Sequence, residues 1–88
     1  MRKIRQVSVV DTTDRTRVGL MDLMSGRLRR GDRLFITDQK FNNEKHERVT
    51  VRTLTDKNKL QGAATLAIRN GNFAPGQILL VEDIRITR

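Results

Sequence analysis

The chain has 88 residues, room for one domain with a small core, because a domain of this size hides only roughly 60–65% of its unfolded surface. Eighteen Lys and Arg against ten Asp and Glu give a net charge of +8, and the lack of cysteine excludes disulfides and thiolate metal sites. No apolar run approaches the ~20 residues of a membrane helix and none follows the basic start Met1-Arg2-Lys3-Ile4-Arg5-Gln6, so no membrane partner, no secretory signal and a cytoplasmic setting are expected.

Ile4 to Val10 predicts the first strand, with Val7 and Val9 on one face and Gln6 and Ser8 on the other. Asp11-Thr12-Thr13-Asp14 follows as a turn whose side chains can bond the backbone. In Arg17 to Met24, Val18, Leu20 and Asp22 share one face, and Gly19, Met21 and Leu23 the other. Both faces are partly apolar, as in a strand of a closed barrel or one at an oligomer contact. A helical turn through Leu20–Met24 competes, because Leu and Met favour helices. Leu20, Met21, Leu23 and Met24 are expected in the core more than on a partner surface.

Ser25-Gly26 and Arg30-Gly31-Asp32 are breaks, and Leu34 to Thr37 reads as a mostly buried strand. Asp38 to Glu47, with Asn42-Asn43 at its centre, is the longest loop expected. Arg48 to Thr55 alternates most cleanly: Val49 and Val51 face in, Arg48, Thr50 and Arg52 face out. Leu54 breaks the phase, which predicts a bulge or a strand end. Asp56-Lys57-Asn58-Lys59 is a solvated loop. After Gly62, Ala63 to Arg69 is a strand with Ala64, Leu66 and Ile68 on one face. Asn70-Gly71-Asn72 and Pro75-Gly76 are turn signals. Gln77 to Glu82 reads as a strand, and Ile84 and Ile86 alternate with Arg85 and Thr87 in a last one. Six or seven short strands without sustained helical periodicity predict an all-β fold over residues 1–88. Closure, or near closure, into a small barrel hides the strand edges best.

The order of these pieces resembles the β-barrel that follows the GTPase domain in translational GTPases, domain 2 of elongation factor Tu and its relatives. Val18-Gly19-Leu20 leading to Ser25-Gly26-Arg27-Leu28 looks like the strand entering the family's "sG.l..G" stretch. Arg30-Gly31-Asp32-Arg33-Leu34-Phe35-Ile36 looks like its "+.GD.+.i" turn and strand. Arg48 to Leu54 is similar to the strand ending in "..V.sl", and Pro75-Gly76-Gln77-Ile78-Leu79 to the closing "i.rGqvL". The resemblance spans Ile4 to Val81 and implies a free-standing barrel of translation-protein type. The chain departs from the pattern in having Ala74-Pro75 where the family often has a basic residue before the glycine. No phosphate-binding G-x-x-x-x-G-K-[ST] loop is present, so no nucleotide is expected by that route.

Thirteen of the eighteen basic residues are Arg, whose planar fork grips phosphate at two points. Arg27, Arg29, Arg30 and Arg33 form the sharpest cluster and are expected to bind phosphates, unless Asp22 and Asp32 neutralise a merely solvated turn. Arg15, Arg17 and the N-terminal Arg2, Lys3 and Arg5 are expected to assist, while Arg85 and Arg88 read as edge protection. His46 lacks a second ligand or a positioned partner, and Glu44 and Glu47 look solvated, so neither a metal, a cofactor nor catalysis is expected. Phe35 is read as buried, with Phe41 and Phe73 in loops, which disfavours base stacking. The reading is a non-catalytic module that contacts RNA or a ribonucleoprotein. The alternative is a protein-interaction or homo-oligomeric assembly module, suggested by the two-faced segment Val18–Met24.

Overall fold

The inward valines at 7, 9, 49 and 51 are all fully buried, and their strands belong to a closed barrel. The computed structural model describes residues 3–41 and 47–87, without the side chains of Phe41 and Thr87. Its strands are β1 (Ile4–Asp11), β2 (Val18–Ser25), β3 (Arg33–Phe41), β4 (Glu47–Leu54), β5 (Leu60–Asn70) and β6 (Ile78–Thr87). They pair antiparallel around the ring in the order β1-β2-β5-β4-β3-β6. The expected all-β barrel is present, closed and six-stranded. No helical turn forms at Leu20–Met24, because β2 runs straight through it.

Bulges account for the differences from the predicted elements. The two strands expected after Gln77 are one. Ser8 faces Asp83 while Val9 faces Val81, so Glu82 is an extra residue that keeps both Val81 and Ile84 turned inward. The odd spacing of those two residues is what read as a break. Asp38 also belongs to a strand and not to a loop. The register of β3 against β4 shifts between Ile36 and Asp38, and β3 then continues to Phe41. The alternation loses phase at that shift and looks polar beyond it. Asn42, Asn43, Glu44 and His46 lie outside the described residues. The phase break at Leu54 is a register shift against β5 at the strand end.

One apolar cluster fills the barrel, with Met21, Leu34, Ile36, Leu66, Leu79 and Val81 essentially excluded from solvent. Loop residues stop the two ends: Phe73 from the β5–β6 connection and Leu28 from the β2–β3 connection. Gly19 and Gly71 make room for the Phe73 ring, since a Cβ on either would overlap it. Phe35 corrects the sequence reading. It lies between the buried Leu34 and Ile36, faces outward, and is only half-buried. Of the Leu20–Met24 group, Met21 and Leu23 join the core, whereas Met24 is exposed.

The antiparallel order sorts the connections into two ends. The β1–β2 loop (12–17) and the β5–β6 loop (71–77) meet at one end. The β2–β3 loop (26–32), the β4–β5 loop (55–59) and the start of β1 meet at the other.

Candidate nucleic-acid interface

The β2–β3 loop is built to hold arginines outward. Gly26 turns the chain at φ +93°, and a side chain there would bring its Cβ to 2.5 Å from the Ala63 carbonyl oxygen. The chain then sinks Leu28 into the barrel mouth, which leaves its neighbours Arg27, Arg29 and Arg30 exposed. Asp32 closes the turn: its Oδ2 accepts the Arg29 N–H at 2.8 Å. Two main-chain bonds fasten the loop to β6, from Gly31 N–H to the Val81 carbonyl and from Val81 N–H to the Asp32 carbonyl, both 2.8 Å.

The β4–β5 loop lies beside it and is equally well fixed. Thr55 N–H donates to the Lys59 carbonyl at 2.8 Å and Asn58 N–H to the Thr55 carbonyl at 2.8 Å, with Asn58 itself in the left-handed region at φ +61°. The hydroxyl of Thr55 accepts the Lys59 N–H at 3.1 Å. From the start of β3, Arg33 reaches over and donates to Asn58 Oδ1 and to the Thr55 carbonyl, each at 2.7 Å. Between the β2–β3 loop and the adjoining ends of β4 and β5 runs an open groove of about 410 Å3, with Arg27, Arg29 and Asp32 on one side and Thr53, Leu54, Gln61 and Gly62 on the other.

The fold therefore brings some of the expected residues together and separates others. Arg27, Arg29 and Arg30 share one end, and among the described residues their side chains have no hydrogen-bond or ion-pair partner. Arg33 belongs to the same end, but it is half-buried and two of its donors are engaged. Lys3 and Arg5 enter at this end too, whereas Arg2 and Arg88 lie outside the described residues. Arg15 and Arg17 sit at the opposite end, a strand length away or roughly 25 Å. There Arg17 pairs with Asp14 at 3.5 Å. Asp22 neutralises no turn. It is buried on the outer wall of β2, where Arg69 donates to it at 2.5 Å. Arg85 lies on the wall of β6, exposed, 3.6 Å from Asp83.

Sequence reading missed Lys57 and Lys59 as members of this basic end. They are exposed on the β4–β5 loop, and only the pairing of distant strands sets them beside Arg27–Arg30. It also missed the bracing of this hairpin by Arg52, which donates to the Gly62 and Gln61 carbonyls. None of these residues carries a local motif that announces its neighbour.

The opposite end is organised around an acid. Asp11 is almost fully buried; its Oδ1 accepts the Thr13 N–H and hydroxyl at 2.8 Å, and its Oδ2 accepts Gln77 Nε2 at 2.7 Å. The Thr13 N–H, then the Thr13 hydroxyl, hold its carboxyl below the ordinary value, with Asp14 N–H and Gln77 adding to this against the effect of burial. The Thr16 hydroxyl and N–H lower Asp14 in the same sense. Groups lowered on folding stabilise the protein above their unfolded values, near pH 4, and that contribution is lost as pH falls through the folded values. Asp11→Asn is expected to destabilise by about 1–3 kcal/mol in urea unfolding at neutral pH and to flatten the acid limb. Its amide would confront Gln77 Nε2, and flipping Gln77 would remove the acceptor that holds Ala74 N–H at 2.6 Å.

The basic end can neutralise phosphates by guanidinium and ammonium contact. Among the described residues it offers no aromatic platform, since Phe73 is in the core and Phe35 lies on the wall opposite Arg52. No group of three or more His, Asp or Glu among the described residues is placed to hold a metal ion. Comparison with family models, with curated proteins and with solved structures yields no match.

Proposed function

We propose that this barrel is a non-catalytic binding module that docks on structured RNA, alone or within a ribonucleoprotein, through its basic end. The single observation that carries the reading is the convergence of Arg27, Arg29 and Arg30 with Lys57 and Lys59 on two fastened loops at one end of the barrel. Phosphate contact is sequence-tolerant, and two-point guanidinium bonds suit it. The resemblance of the sequence to domain 2 of translation factors favours RNA as the polyanion.

The assembly alternative draws less support. Met21 and Leu23 turn into the core, and the exposed Val18 and Met24 stand at opposite ends of β2 with no continuous apolar face between them.

The test is binding of an RNA hairpin and a length-matched DNA duplex across a salt series. Micromolar or tighter RNA affinity that falls steeply with log salt is expected. No binding at low salt would remove the reading and leave +8 as a solubility feature.

A further inference from the structure

We infer that Arg33 is a positioning residue, not a phosphate ligand: it ties the β4–β5 loop to the start of β3, next to the β2–β3 loop, so that the two basic loops meet a polyanion as one preassembled surface. This rests on the proposed RNA-binding function and replaces the contact role that the Arg27–Arg33 cluster suggests for this arginine.

The geometry of Arg33 differs from that of its neighbours. Arg27, Arg29 and Arg30 project from a turn, whereas Arg33 opens β3, half-buried, with one terminal nitrogen on Asn58 Oδ1 and the other on the Thr55 carbonyl. Those acceptors belong to the same tight loop. Asn58 sits between Lys57 and Lys59, and its left-handed backbone lets its side chain turn back to β3. Holding Asn58 therefore fixes the stretch of backbone that carries both lysines. Residue 33 also follows directly on Asp32, whose carboxylate and carbonyl set the β2–β3 turn and tie it to β6. One side chain, rooted next to the β2–β3 turn, thus holds the β4–β5 loop from β3.

A planar guanidinium is needed for this span. A lysine at 33 keeps the charge but offers a single point donor and cannot serve both acceptors in the same way. A mobile β4–β5 loop must then be ordered at the moment of binding, which weakens affinity without removing a charge.

Two variants separate positioning from contact. Arg33→Lys preserves the charge but gives up the two-point hold, and Asn58→Gly preserves the positive φ but removes one of the two acceptors. RNA-hairpin affinity is expected to fall about 3- to 10-fold in each, with the slope of log affinity on log salt unchanged because the phosphates neutralised are the same. Amide hydrogen exchange at Thr55 and Asn58 should quicken in both, measured well below the unfolding transition. If Arg33 is instead a ligand, Asn58→Gly releases one of its terminal nitrogens for phosphate and affinity stays at the wild-type value or rises. That result, or unchanged exchange at residues 55–59, overturns the inference while the RNA reading stands. A wild-type chain that binds no RNA overturns the RNA reading, and the positioning role falls with it.

Discussion

Arg29→Glu combined with Arg30→Glu is expected to weaken RNA-hairpin binding by about one to two orders of magnitude near physiological salt, and to make the salt slope shallower by about 0.9 per lost phosphate. Both side chains are exposed and, among the described residues, have no internal partner, so their loss removes no contact to the fold. The substitution also places two carboxylates beside Asp32, where they repel any phosphate approaching Arg27. Unfolding stability should change by no more than about 0.5 kcal/mol, as for other surface changes. The informative control is Arg15→Glu with Arg17→Glu. It makes the same change in net charge at the opposite end of the barrel. If net charge alone governed association, the two double variants would bind equally poorly. Contact at the basic end predicts instead that the control stays within a few-fold of wild type. Fluorescence anisotropy with one labelled hairpin measures all three proteins.

The largest effect on stability is expected at the other mouth, where Phe73→Ala should cost about 3–5 kcal/mol by urea unfolding. The ring is 5% exposed although it comes from a connecting loop, and it belongs to the same cluster as Met21, Ile68 and Val9. Its removal leaves a cavity lined by Gly19 and Gly71, neither of which has side-chain atoms to fill it. The same packing read in reverse predicts that Gly19→Ala alone is disruptive, because its methyl group meets the ring and the Asn70 carbonyl. Combining Gly19→Ala with Phe73→Ala should recover part of the loss, since the methyl then occupies vacated space. A double variant whose cost is the sum of the singles would contradict that coupling.

The contrast between Phe73 and Phe35 shows where the sequence was legible. Alternation located the inward faces of β1, β4 and β5 because Val7, Val9, Val49, Val51, Ala64, Leu66 and Ile68 obey a strict period of two. The same rule, applied to Leu34-Phe35-Ile36, puts Phe35 outside. An unbroken apolar run hides that parity, and the ring reads as core. Phe73 presents the opposite problem: it sits in no periodic segment, and only the closure of the barrel above Gly19 makes a place for it. Bulges misplaced two boundaries in a similar way. An extra residue at Glu82 made one strand look like two, and the shift after Ile36 made the end of β3 look like loop.

The candidate site was legible to the extent that it is local. Arg27, Arg29 and Arg30 are a cluster in the sequence and remain one in the fold. Arg15 and Arg17 lie apart from them, because two turns close in sequence sit at opposite ends of an antiparallel strand. Lys57 and Lys59 were passed over for the converse reason. Their proximity depends on the β3–β4 and β4–β5 pairings, and the loop that carries them is shaped by an arginine more than twenty residues away. Charge composition is readable without a fold, but the assignment of charges to ends requires the strand order.

The most direct test of the account is amide chemical-shift mapping of the isotope-labelled protein titrated with an unlabelled RNA hairpin. The largest changes are expected on residues 26–33 and 55–62, with the 12–17 and 71–77 loops nearly silent. Changes centred on the Asp11–Arg17 end, or spread evenly over the barrel wall, would contradict it.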